Sequence, residues 1–265
     1  MTPRRERKDA TNAAPPGLGR RKGRTGLIDV HEVLFGEFPQ VTSLNPGFVP
    51  GVRRLKMSLT IGEEPATGAT SVFVESLTGL LPTLSYHRCC GANSMKETFF
   101  DRDRRRRCSV KESEGGVDLA HLVEHVLIDV QHSIARMRTC SGVTCAWTRP
   151  RDRYDIFVEC VDETVGRTAA GIAVDLVEDL LAGRRPHPRY LCLIQAARLA
   201  YDHSGWPIGP RVGPLAVMWG ERLVDEAVAE LHLRGFLREI PVSFNFSGRP
   251  LLCFVRDGGR ASIAS

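Results

Sequence analysis

"DLAHLVEHVLID", residues 118–129, is the stretch from which the rest of this chain is read. Leu119, Leu122, Val123, Val126 and Leu127 recur near a 3.6-residue period and Asp118 is available as a cap, so the spacing predicts a helix from about 118 to 137. His121 and His125 are four apart and share a face of that helix, with Glu124 three residues beyond His121.

Two imidazoles one turn apart can hold one zinc ion, and a glutamate beside them can take a proton from the attacking water and pass it to a leaving amine. The ion itself would acidify water and polarise a substrate carbonyl. The order His-x-x-Glu-His is the inverse of the more familiar HExxH arrangement. A third protein ligand has to come from elsewhere. Glu159, on a predicted strand, is the first choice, with Glu112, Glu114, Asp162 and Glu163 left open. The plainer reading is that both histidines line a polar helix face, bonded to backbone or acidic partners, with Glu124 in a surface ion pair. His132 continues roughly the same face but is too far along to share the ion.

The chain has 265 residues, of which 42% are hydrophobic, enough for a substantial core. No run approaches the ~18 apolar residues of a membrane span, and "MTPRRERKDATNAAPPGLGRRKGRTG" lacks the apolar stretch of a secretory signal. A cytoplasmic protein with no membrane partner is expected. The formal charge of +5 is uneven: residues 1–24 carry eight Lys or Arg against two acidic residues, which leaves the remainder near neutral. That balance argues against a broad nucleic-acid surface on the body of the protein. The second basic cluster, Arg102 and Arg104 to Arg107, reads as a solvated run or loop, with a contact to a polyanion or acidic substrate as the alternative. The eight cysteines form no CxxC pair, which disfavours a structural zinc finger or ribbon; without a secretory signal, reduced thiols are expected.

Residues 1–26 are rich in breakers and read as a disordered basic tail. "VRRLKMSLTIG" reads as a strand, and "TSVFVESLTGLLPTLSYHRCC" as a strand or short helix leading into a loop at Pro82. Residues 93–116 look like an irregular excursion before the histidine helix. In "YDIFVEC", residues 154–160, Tyr154, Ile156, Val158 and Cys160 share one strand face, and Asp155, Phe157 and Glu159 the other. A helix at about 168–182, a linker "GRRPHPR", a further helix around "YLCLIQAARLAYDHSG", and then a helix with two strands joined at Ser247-Gly248 complete the chain. That last order resembles the end of a winged-helix unit. The expected fold is α+β, a mixed sheet with packed helices and a helix-plus-hairpin appendage, divided as 1–26, 27–186 and 187–265.

Taken in order, "LLPTLSYHRCC", "GGVDLAHLVEHVLIDVQ" and "YDIFVECVDETVGRTAAGIAVDLVEDLL" resemble the N-terminal domain of cyanophycin synthetase over roughly residues 55–183. The ATP-grasp and Mur-ligase-like modules of that enzyme do not follow, so the resemblance implies an accessory domain standing alone. It implies polymer handling and, as in some members, a metallopeptidase-like site that cleaves an isopeptide polymer. On this resemblance His121, His125 and Glu159 would hold Zn2+, Glu124 would be the general base, and His87, Arg88 and Arg149 would line the substrate pocket. The sequence departs from the family pattern at Cys160, where an aromatic residue is usual, at Asp129, where a glutamate is usual, and at Cys90, where a serine is usual.

The leading expectation is a zinc-dependent hydrolase of an isopeptide or acidic peptide. Its partners would be such a polymer, a second copy of the chain or a ligase. The alternative is a non-catalytic protein that binds the polymer or a partner, and a third reading is a winged-helix regulator, which would need an exposed basic recognition helix.

Overall fold

A computed structural model describes residues 26–45, 47–62, 71–89, 93–94, 115–137, 139–184, 188–240 and 251–256. Four strands form one antiparallel sheet: β1 (Ile28–Gly36), β2 (Arg54–Ile61), and, later in the chain, a hairpin of β5 (Gly142–Ala146) and β6 (Arg153–Glu159), in the order β1-β2-β6-β5. Between them lie α1 (Ser71–Leu80), the two-residue pair β3 (Arg88–Cys89) and β4 (Asn93–Ser94), and α2 (Gly115–Ala135). The sheet is followed by α3 (Glu163–Leu181).

The two inner strands explain the orientation of the layers. Leu55, Met57, Leu59, Tyr154, Ile156 and Val158 join the main core with α2 and α3, whereas Phe157 points to the opposite face and packs with Val41 and Phe48. Strand parity therefore places Asp155 and Glu159 on the side away from the helices. On α3, the small residues Gly166, Ala169, Ala170 and Ala173 are buried and let the helix approach closely. A Cβ at Gly166 would stand 2.6 Å from Cys160 Sγ.

Helix boundaries follow the local chemistry. α3 begins five residues before the expected 168, because the Asp162 carboxylate accepts from the backbone N–H groups of Thr164 and Val165 and caps the first turn. α2 begins three residues ahead of Asp118, so Asp118 lies within the helix and not at its cap. Most of the stretch 93–116, the tail 1–25 and the turn at Ser247-Gly248 lie outside the described residues.

Beyond α3 come α4 (Arg189–Asp202), α5 (Gly213–Trp219), α6 (Glu221–Leu233) and the hairpin strands β7 (Arg238–Ile240) and β8 (Leu251–Cys253). α5 is an addition to the sequence expectation; its Gly-Pro start masked a seven-residue helix. The backbone N–H groups of Gly205 and Ile208 donate to the carbonyls of Phe254 and Leu252, giving the hairpin a third, strand-like partner. Helix, extended segment, two helices and hairpin are the order of elements in this part of the chain.

The boundary expected at 186/187 falls between α3 and α4, yet the core runs on across it through Tyr190, Leu193, Val224, Leu231 and Phe254. A buried ion pair also joins the two parts: Arg234, after α6, donates to Asp175 of α3 and pairs with Glu230 at 2.7 Å. Among the described residues no helix is long and apolar enough to cross a membrane.

Removing one member of a buried pair strands the other charge. Arg234→Ala should therefore lower unfolding stability by about 3 kcal/mol, whereas Arg234→Met combined with Asp175→Leu should recover most of the loss, as read from urea denaturation midpoints.

Candidate metal centre

The site is carried by α2 where it crosses β5. His121 is partly buried, Glu124 and His125 are buried, and a ligand atom from each lies within 4.8 Å of the other two. His121 Nε2 stands 3.2 Å from His125 Nε2. Two nitrogens each bound to one tetrahedral ion at about 2.1 Å lie about 3.4 Å apart, so the pair is already spaced to share a metal. The cluster is able to coordinate a metal ion.

Protonation favours the same use. Burial lowers the His121 pKa from its usual 6.5 to about 4. Burial also pushes His125 well below its usual value, with the neighbouring His121 and His87 adding to the effect. Both rings are therefore neutral near pH 7, the form in which imidazole binds metal.

Glu124 is held by β5. Its Oε2 accepts a hydrogen bond from Thr144 Oγ1 at 2.5 Å, and a Cβ on Gly142 would come within 2.6 Å of Oε1. Gly142 and Thr144 pair with Val158 and Ile156, so both lie on the sheet face that packs against α2. The glycine leaves room for the carboxylate and the threonine orients it.

The remaining expected residues are placed as follows. His87, just after a 3-10 turn at Pro82–Tyr86, joins the cluster from outside: its Nδ1 is 3.5 Å from His125 Nδ1 and its Nε2 is 2.9 Å from Asp129 Oδ1. Arg88 follows in β3, where its backbone pairs with Ser94. Arg149 is exposed in the turn between β5 and β6. His132 is exposed further along α2.

Glu159 is not brought to the histidines. It lies on the far face of the sheet, where its carboxylate pairs with Arg54 at 3.4 Å and accepts from the Ser141 backbone N–H. Arg54 is 1% exposed and sits over the Phe48 ring, so the pair is part of the far-face packing. Alternation along β6 sets this direction: the residue that shares a face with Phe157 cannot also share one with Val158. Of the other carboxylates considered, Asp162 is the cap of α3, Glu163 pairs with Arg167, and Glu112 and Glu114 lie outside the described residues.

Three contributors to the site, Thr144, Gly142 and Thr83, come from segments with no local signature. Asp129 did carry one, being a further turn beyond His125 on the same helix face. Cys140 and Cys145 are free thiols, and Cys140 donates to the Glu159 carbonyl.

Residues 54–182, just under half of the chain, match the family model described as the cyanophycin synthase-like N-terminal domain. The match takes in β2, α2, the β5–β6 hairpin and α3, and hence His121, Glu124 and His125 together with His87 and Asp129; α4 to β8 lie beyond it. No curated protein matches the chain.

Because the folded pKa values of His121 and His125 are lowered, the unfolded chain takes up protons first on acidification. Stability of the metal-free protein should hold above about pH 6.5 and fall as pH drops from there towards about 4, by up to ~1.4 kcal/mol per pH unit for each ring. Urea midpoints measured across that range check it, and the slope should shrink in a His121→Asn, His125→Asn variant.

Proposed function

We propose that this chain, whose residues 54–182 match the cyanophycin synthase-like N-terminal domain, is a zinc-dependent hydrolase of an isopeptide or an acidic peptide. The observation that carries the reading is the 3.2 Å approach of His121 Nε2 and His125 Nε2 with the Glu124 carboxylate beside them. A divalent ion held there supplies Lewis acidity, polarising the scissile carbonyl and making water easier to deprotonate.

The protein's own part falls to Glu124. Thr144 holds one carboxylate oxygen and Gly142 leaves space at the other. From that position Glu124 takes a proton from the attacking water and returns it to the leaving amine as the bond breaks. The neutral His121 and His125 supply nitrogen lone pairs to the ion. Arg88 and Arg149 are assigned to carboxylates of the substrate, which a guanidinium can grip through paired hydrogen bonds.

The regulator reading needs a basic recognition helix, and α6 is not one. Its exposed residues include Glu221, Asp225 and Glu226 against Arg222, a balance that repels phosphate. An acidic α6 is compatible with the non-catalytic alternative, in which the fold binds a polymer or partner without cleaving it.

Elemental analysis after dialysis against zinc is the first test. About one zinc per chain, lost in His121→Ala combined with His125→Ala, is the expected result, and a folded protein that takes up no zinc would overturn the reading. Glu124→Gln should keep the metal and lose ~10²–10⁴-fold in hydrolysis of an isopeptide substrate. Gly142→Ala, which drives a methyl group into Glu124, should also keep the metal and lose most activity, checked by the same two assays. Zinc uptake with no hydrolysis of isopeptide or acidic peptide would favour the binding protein.

A further inference from the structure

We propose that Asp129 and His87 are positioning residues that fix the tautomer of His125, so that its Nε2 presents a lone pair to the ion. The inference rests on the reading of His121 and His125 as metal ligands.

Hydrogen-bond polarity carries the argument along the chain of contacts. Asp129 is fully buried, and a carboxylate oxygen accepts hydrogen bonds. Thr83 Oγ1 donates to Oδ1 at 2.6 Å, and His87 Nε2 stands 2.9 Å from the same oxygen. Oδ2 has no hydrogen-bond partner among the described residues, so the buried charge is met through Oδ1. A singly protonated His87 that donates to this carboxylate carries its proton on Nε2, and its Nδ1 is then an acceptor. That Nδ1 faces His125 Nδ1 at 3.5 Å, and of the two nitrogens only the latter can then donate. With its proton on Nδ1, His125 has its lone pair on Nε2, the nitrogen 3.2 Å from His121 Nε2. The opposite tautomer would aim an N–H at the position where a metal must sit. Carboxylates that orient a ligating imidazole in this way raise its basicity and affinity for metal. Here the carboxylate acts through a second imidazole.

Long-range nitrogen–proton NMR spectra of the metal-free protein at about pH 8, above the ordinary imidazole range, read both tautomers directly. The expected result is His87 protonated on Nε2 and His125 on Nδ1. Asp129→Leu should release His125 into the other tautomer. Asp129→Leu and the more conservative His87→Phe should each weaken zinc binding ~10–100-fold in competition with a chromophoric chelator. Finding His125 protonated on Nε2 in the unsubstituted protein would overturn the inference, as would unchanged zinc affinity in a folded His87→Phe protein. Failure of the unsubstituted protein to bind zinc would overturn the metal-ligand reading on which the inference rests, whereas zinc binding with the tautomers reversed would overturn the inference alone.

Discussion

Helix α2 is wedged between the sheet, α3 and α4, and it carries His121, Glu124, His125, Asp129 and Gln131 into or against that packed interior. A polar group removed from water costs about 1–3 kcal/mol unless a partner replaces the lost hydrogen bonds. Much of the surrounding structure serves this one constraint. Thr144 answers Glu124, Thr83 and His87 answer Asp129, and Gln131 donates to the Glu159 carbonyl at the end of β6. Burial that would be a burden in a structural helix suits a candidate metal site, because it favours the neutral form of both imidazoles.

The same burial separates the roles of the groups on α2. Glu124 stays beside the histidines because a glycine at 142 leaves it room, and Thr144 fixes its direction. Asp129 stands back from His121 and, among the described residues, reaches the cluster through His87. Glu124 thus lies beside the two histidines, and Asp129 is set behind the His87 ring. This arrangement depends on the β5–β6 hairpin and on the 3-10 turn before His87 as much as on the helix.

The helix and its cluster were legible because a 3.6-residue apolar period and an i, i+4 histidine pair are local patterns. The strand at Tyr154–Glu159 and the antiparallel sheet were legible for a similar reason, alternation along a few residues. What could not be read was register across long separations. Glu159 looked like a third ligand in one dimension, but β2 pairs Arg54 directly opposite it on the far face, 105 residues away in sequence. Thr83 and Thr144 are likewise unremarkable until folding sets them against Asp129 and Glu124. The start of α3 is the opposite case: Asp162, one of the open ligand candidates in the sequence, caps the helix, and an aspartate ahead of Thr164 is a local signal for that end. The C-terminal unit resembled a winged helix by element order, and its charge became informative only when α6 was seen to expose mainly acidic side chains.

The central claim is that the two histidines of α2 form a metal centre. X-ray absorption at the zinc edge, on the zinc-loaded protein, tests it most directly. The account predicts a nitrogen and oxygen shell near about 2.1 Å with the scattering pattern of two imidazoles. A sulfur shell near about 2.3 Å, placing the ion on cysteines, would contradict it.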